Sequence, residues 1–84
     1  MKLTADSIEE QVRSYILDAY LPGERGQELR NDSDLLRVLN SLQLMRMVIE
    51  LESMFGISIE NEDMSPDNLG NIERIAVYVK QKCG

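Results

Sequence analysis

The stretch from Ser41 to Phe55 constrains the fold most, because its apolar residues recur at helical spacing without a break. At about 100° per residue, most of them share one broad arc, as in a helix that packs on a core. That arc holds Leu44, Met47, Val48, Leu51, Met54 and Phe55. Gly56 follows, and glycine is the residue type that favours a left-handed C-cap. We therefore predict an amphipathic helix over residues 41–55.

A second, narrow apolar stripe lies on the same segment, outside the core arc. It consists of Leu42, Met45 and Ile49, and it begins directly after Ser41. A helix that packs on one core needs a single apolar face, and this helix has three faces: the core arc, the narrow stripe, and a polar arc of Gln43, Arg46, Glu50 and Ser53. Three faces cannot all point inward. This predicts that the narrow stripe is exposed. The alternative is that Met45 and Ile49 are simply core residues.

Two further segments have helical periodicity. The first runs from Ala5 to Tyr20, with Thr4 or Asp6 placed to cap it and Pro22-Gly23 placed to stop it. Its inward positions are Ile8, Val12, Tyr15, Ile16 and Ala19. The last helix is marked by Ile72, Ile75, Ala76 and Val79. We expect it to fray through Lys80 and Lys82, which are cations suited to a helix C-terminus.

The connections between these helices contain no predicted strand. Residues 21–33 are rich in turn-forming types and have no regular period, which predicts a long loop. An apolar cluster then anchors the end of that loop to the core; it comprises Leu35, Leu36, Val38 and Leu39. Residues 57–59 are too few for a strand, and residues 60–63 form an acidic turn. Ser65-Pro66 begins a short helix, since proline's missing N–H costs nothing there. The predicted fold class is all-α.

Length and charge limit the functions open to the chain. Its 84 residues can build one domain with one modest core. The net charge is −6, and residues 47–73 contain seven acids without a lysine or arginine. Nucleic acid requires a basic footprint, so this pattern argues against nucleic acid and favours basic protein partners, unless these acids are only a solvated face. The sequence shows no secretion signal and no apolar stretch of membrane-spanning length, so we expect a cytoplasmic protein without a membrane partner.

Most catalytic and metal-binding chemistry is excluded by composition. The chain has no histidine, which removes Ser-His and Cys-His nucleophile pairs. Its one cysteine, Cys83, can form neither an internal disulfide nor a cysteine-based zinc site. The acids at residues 32–34 and 60–63 lack the glycine and the distal glutamate of a calcium loop. We therefore expect no catalytic residue, no metal site and no enzyme.

Several motifs follow one another along the chain. They are Asp34-Leu35-Leu36, Asn40-Ser41-Leu42, the run LESMFGISI at residues 51–59, and Asn68-Leu69-Gly70-Asn71-Ile72 followed by Ile75, Tyr78 and Val79. Together they resemble the acyl and peptidyl carrier protein family. Its usual pattern is (Asp/His)-Ser-Leu, a helix ending Leu-Glu-x-x-Phe-Gly-Ile-x-Ile, an acidic turn and a closing Ile-x-x-Tyr-Val. The resemblance spans nearly the whole chain. It implies a four-helix bundle of acyl-carrier type, with a long loop between helices 1 and 2 and a short third helix.

The resemblance implies a carrier protein that other enzymes modify and use. Ser41 would hold a covalent 4′-phosphopantetheine, with Asn40 and Leu42 beside the attachment, and the thiol of that arm would carry an acyl or aminoacyl thioester. The implied partners are a phosphopantetheinyl transferase, an acyl- or aminoacyl-loading ligase or transferase, and condensing or tailoring enzymes of fatty-acid, polyketide or nonribosomal-peptide biosynthesis. Such a serine needs exposure but no base of its own, which agrees with the absence of histidine.

The resemblance also gives the narrow stripe a role, as the apolar centre of a docking surface on a monomeric carrier. Nearby acids would steer basic partner surfaces toward it and raise encounter rates. The implied docking residues are Leu42, Met45, Ile49, Glu50, Glu52, Glu60, Glu62 and Asp63.

The chain departs from the family pattern at a few positions. Asn40 stands where acyl carriers usually have Asp, and Val38-Leu39 replaces a glycine often found there. Arg46 places a positive charge on a face that is typically acidic in fatty-acid carriers. These differences favour a specialised pathway. Two alternatives stay open: a helical interaction module that uses the same stripe without a prosthetic group, and a small bundle that binds lipid reversibly.

Overall fold

The computed structural model describes residues 4–20 and 29–83, and these residues form helices and no strands. Five α-helices follow in order: α1 (Ala5–Ala19), α2 (Leu35–Val38), α3 (Ser41–Phe55), α4 (Pro66–Leu69) and α5 (Ile72–Cys83). A single 3-10 turn, Asn61–Asp63, lies between α3 and α4. The predicted all-α class is confirmed for this part of the chain. Most of the predicted long loop, residues 21–28, lies outside the described residues.

Helix α1 begins, and helix α3 ends, at the capping residue that the sequence predicts; Pro22-Gly23, the predicted stop of α1, lies outside the described residues. The Thr4 side chain accepts a hydrogen bond from the Ser7 backbone N–H at 3.1 Å and caps α1. Gly56 ends α3 in the left-handed conformation, with φ of 63°, and its N–H donates to the Glu52 carbonyl. A side chain is rarely accommodated at that φ, which explains the glycine.

The core lies where α1 and α5 pack against each other, and buried side chains of α3 belong to the same apolar cluster. Its fully buried larger side chains are Ile8, Val12, Ile16, Leu35, Met47, Leu51, Ile72, Ile75 and Val79. These include most of the positions predicted from periodicity. Burial of apolar area of this kind is the main stabilising contribution to a small domain.

Some predicted core positions are wrong. Met54 is exposed because it lies in the last turn of α3, where it borders a shallow surface cleft beside Leu17. Ala19 is exposed because it is the last residue of α1. In the apolar cluster before α3, Leu35 and Leu39 are buried, while Leu36 is half exposed on the opposite side of α2.

Helix α2 was not predicted. It is a single turn capped by Asp34, whose side chain accepts from the Leu36 N–H at 3.0 Å. Two backbone hydrogen bonds hold this region against the end of the chain: the Leu35 N–H donates to Gly70 at 2.9 Å, and the Glu73 N–H donates to Asn31 at 3.1 Å. The end of the loop is therefore fixed to the junction of α4 and α5.

The segment between α3 and α5 contains the 3-10 turn and α4. Proline occupies the first turn of α4 as predicted, although the Ser65 side chain makes no capping hydrogen bond. Gly70 follows α4, and a Cβ there would overlap the Pro66 carbonyl oxygen. Helix α5 then continues through Lys80 and Lys82 to Cys83, and both lysines lie in its last turn, as predicted. No helix among residues 4–20 and 29–83 has the length and apolarity needed to cross a bilayer.

Candidate functional site

Ser41 is the first residue of α3, and its side chain is exposed. The helix is capped by its neighbours instead: Asn40 Oδ1 accepts from the Gln43 N–H at 2.8 Å, and Gln43 Oε1 accepts from the Asn40 N–H at 3.0 Å. This reciprocal capping box satisfies two backbone donors at once. The Ser41 hydroxyl makes no hydrogen bond to any described residue, so it is available to another molecule.

The start of α3 also provides a favourable electrostatic position for an anion. The first backbone N–H groups of a helix have no partner within the helix. The capping box uses the N–H of Gln43 and leaves those of Ser41 and Leu42 directed out of the helix start. Together with the positive end of the helix dipole, they favour a negative group bonded to Ser41.

An apolar groove begins at Ser41 and runs along α3 toward the 3-10 turn and α4. Its volume is about 390 Å³, which falls within the range of about 300–1,000 Å³ common for ligand pockets. Leucine, valine and methionine side chains form its walls, with a few polar groups at the rim. The lining residues are Leu36, Ser41, Leu44, Met45, Met47, Val48, Ile49, Glu52, Asn61, Met64, Ser65, Pro66 and Leu69.

The narrow apolar stripe is exposed, as predicted. Leu42, Met45 and Ile49 have 63%, 64% and 61% of their surface open to solvent. The alternative that Met45 and Ile49 are core residues is therefore wrong. The stripe begins beside Ser41 and forms one lip of the groove, because Met45 and Ile49 also line it. Large exposed apolar side chains that cluster in this way are typical of an interaction surface.

The five acids predicted near this surface have two kinds of environment. Glu50, Glu60 and Glu62 are exposed. Glu52 is half-buried, and its Oε2 accepts a hydrogen bond from the Ile59 N–H at 2.9 Å, which fixes the chain after α3. Asp63 accepts from the Tyr78 hydroxyl at 2.8 Å and lies 3.8 Å from Lys82 Nζ. Glu52 and Asp63 therefore make intramolecular contacts of their own.

The contact between Tyr78 and Asp63 attaches the 3-10 turn, and with it one wall of the groove, to α5. Tyr78 is buried, and the Asn68 side chain donates to the Asp63 carbonyl at 3.0 Å. Burial, followed by the hydrogen bond to Asp63, raises the pKa of Tyr78 to about 12. Because this pKa is raised on folding, its contribution to stability is fully present at a pH below 10.0, the pKa of an unfolded tyrosine. That contribution is lost as the pH rises through 12.

Tyr78→Phe is expected to lower the free energy of unfolding by about 1–2 kcal/mol at neutral pH, because it leaves a half-buried carboxylate without its donor. The difference from wild type should shrink as the pH rises from 10 through 12. Urea titrations at neutral pH and between pH 9 and 12 measure both effects. In an Asp63→Asn background the same substitution should cost less, and an equal cost in both backgrounds contradicts the assignment.

A pair of tyrosines that sequence reasoning did not associate with the site connects α1 to the start of α3. The hydroxyls of Tyr15 and Tyr20 are 2.8 Å apart, and the Tyr20 hydroxyl donates to the Gln43 carbonyl at 3.3 Å. Burial, together with these contacts, raises the pKa of Tyr15. Because Gln43 also belongs to the capping box, this pair fixes the turn that presents Ser41. The only sequence feature that points to this contact is that two tyrosines lie five residues apart at the end of α1.

The described residues offer no alternative chemical centre. Among residues 4–20 and 29–83, no three acids or cysteines lie together in a way that could hold a metal ion. Cys83 is an exposed free thiol, and its Sγ lies 3.8 Å from the Phe55 carbonyl oxygen. Comparison of the chain with protein-family models gives no match, and comparison with curated proteins gives none either.

Proposed function

We propose that this protein is an acyl or aminoacyl carrier of the four-helix acyl-carrier type, modified at Ser41 with 4′-phosphopantetheine. The observation that carries the proposal is the position of Ser41. An exposed hydroxyl with no partner among the described residues lies at a helix start, next to an apolar groove. In this interpretation α1, α3, α5 and the short segment with α4 correspond to the four helices.

The residues present fit this prosthetic group. Ser41 Oγ supplies the covalent bond, and the N–H groups at the start of α3 lie where a phosphodiester would be held. Asn40 and Leu42 flank the attachment, and the groove gives apolar cargo a surface on which to lie. When attached, the group supplies a thiol that holds the acyl or aminoacyl chain as a thioester, while the protein contributes position and recognition.

The attachment requires a separate phosphopantetheinyl transferase. Ser41 Oγ forms a bond to phosphorus as a pyrophosphate P–O bond of coenzyme A breaks, and the nucleotide half of coenzyme A leaves. The hydroxyl proton passes to a base of the transferase, since the chain has no histidine and the described residues place no base against Ser41. The protein is therefore the acceptor in this reaction and not its catalyst.

The exposed stripe is proposed to dock the partner enzymes. Leu42, Met45 and Ile49 supply the apolar centre, and the exposed acids around them attract basic surfaces. The partners are the transferase, a loading ligase or transferase, and condensing or tailoring enzymes. The charge at Arg46 favours a specialised pathway over housekeeping fatty-acid synthesis.

Incubation of the protein with coenzyme A and a broad-specificity phosphopantetheinyl transferase is expected to add the mass of one phosphopantetheine. Ser41→Ala should abolish the addition. Ser53→Ala is the matched control, because Ser53 is an exposed serine of the same helix but lies away from its start. Intact mass spectrometry measures both.

A protein that several transferases leave unmodified would refute the carrier function. The exposed stripe also suits an interaction module without a prosthetic group. That second function predicts that Ser41→Ala leaves biological activity intact, while Met45→Glu abolishes it.

A further inference from the structure

Arg46 is a charged group near Ser41 that has no ion-pair or hydrogen-bond partner among residues 4–20 and 29–83. It lies on α3 about 7–8 Å along the helix axis from Ser41, at about 1.5 Å per residue. Its side chain is exposed and lines a cleft between α1 and α3 with Tyr15, Tyr20 and Ile49. Ile49 belongs to the docking stripe, so Arg46 borders the proposed docking surface on its α1 side.

Every other arginine of residues 4–20 and 29–83 has a polar partner. Three of them form ion pairs with aspartates: Arg30 at 3.2 Å, Arg37 at 3.8 Å and Arg74 at 3.8 Å. The fourth, Arg13, donates a hydrogen bond to Asn31 at 3.3 Å. Arg46 makes neither an ion pair nor a side-chain hydrogen bond within these ranges. Glu50 lines the same cleft one turn later, but the order Arg then Glu is the weaker one for a helical pair. Within the part of the chain that the structure describes, the guanidinium therefore has no polar partner.

The negative charges on the same surface allow the positive charge of Arg46 to discriminate between partner proteins. The exposed acids assigned to the docking surface, Glu50, Glu60 and Glu62, are negative, so a partner that matches them is basic. A uniformly basic partner would place a like charge against Arg46, and such contacts lower affinity for that partner. A carboxylate at that one position would instead form the bidentate pair that a guanidinium favours.

We propose that Arg46 is a specificity-determining residue of the docking surface, which selects partner enzymes whose basic surface carries a carboxylate opposite it. This inference rests on the proposed modification of Ser41. It identifies the chemistry of the partner surface: basic residues against Glu50, Glu60 and Glu62, one acid against Arg46, and an apolar patch against the stripe.

The test uses a broad-specificity phosphopantetheinyl transferase with a basic docking surface as the probe, with coenzyme A as its second substrate. Arg46→Glu should lower the KM for the carrier about fivefold at low salt, with kcat unchanged, because a repulsive contact becomes attractive. The effect should fade in about 1 M salt, where screening acts over about 3 Å. Lys80→Glu makes the same charge change on the exposed surface of α5 and should leave the KM within about twofold.

A second set of measurements locates the position on the transferase surface that faces Arg46. Each lysine or arginine of the transferase docking surface is replaced in turn by glutamate and assayed with wild-type carrier and with Arg46→Glu. At the position that faces Arg46, the new glutamate should lower the KM for wild type and raise it for the variant, which a double-mutant cycle records as coupling.

Any of four results would overturn the inference. Equal KM changes for Arg46→Glu and Lys80→Glu mean that only net charge matters. A scan without any position of opposite sign means that Arg46 is merely solvated. Modification with unchanged KM in both variants refutes the role of Arg46 alone, whereas complete absence of modification refutes the proposed function of Ser41 together with it.

Discussion

Leu51→Ala is expected to lower the free energy of unfolding by about 2–5 kcal/mol, because it removes a fully buried side chain and leaves a cavity. Leu51 belongs to the core face of α3, which holds the helix that carries Ser41 against the rest of the domain. At about 0.05–0.15 kcal/mol per residue, the whole domain has a stability of about 4–13 kcal/mol. The variant therefore loses a large share of the total stability.

Urea unfolding followed by circular dichroism measures this loss. Ile49→Ala is the matched control, since it shortens a side chain of the same helix that is 61% exposed. That control should change the free energy of unfolding by about 0.5 kcal/mol or less. Equal losses in the two variants contradict the division of α3 into a buried face and an exposed stripe.

Met45→Glu is expected to raise the KM for transferase-catalysed modification about tenfold or more, because it places a carboxylate in the apolar centre of the proposed docking surface. Met45 is 64% exposed, so the melting temperature should stay close to that of wild type. Steady-state kinetics with a broad-specificity phosphopantetheinyl transferase measure the KM, and a thermal melt shows that the fold is retained.

Met47→Glu provides the contrast, because Met47 is fully buried two residues later on the same helix. A charge at that position should unfold the domain, since a buried carboxylate without a partner is strongly destabilising. The two variants thus separate loss of docking from loss of fold. A KM unchanged by Met45→Glu in a folded protein contradicts the docking role of the stripe.

The parts of the fold that follow from local chemistry were predictable from the sequence. The bounds of α3 come from a periodic apolar pattern, an Asn-Ser start and a terminal glycine, all of which act within a few residues. Exposure of Leu42, Met45 and Ile49 followed from the geometry of one helix, because an arc opposite the core has no neighbour to cover it.

Other features depend on contacts between distant parts of the chain, which one sequence does not reveal. Helix α2 is too short to show a period, and it is held by the hydrogen bond between Leu35 and Gly70. Met54 lies on the predicted core arc but stays exposed, because burial depends on what covers the last turn of α3. The contact of Tyr20 with Gln43 likewise depends on how α1 and α3 are arranged.

The proposed carrier function requires that Ser41 carries a phosphopantetheine arm in the cell. Intact mass spectrometry of the protein purified from the organism that encodes it tests this most directly, with peptide mapping to locate any modification. The carrier function predicts one phosphopantetheine, free or acylated, on the peptide that contains Ser41. A homogeneous protein of unmodified mass, from cells that produce an active phosphopantetheinyl transferase, would contradict it.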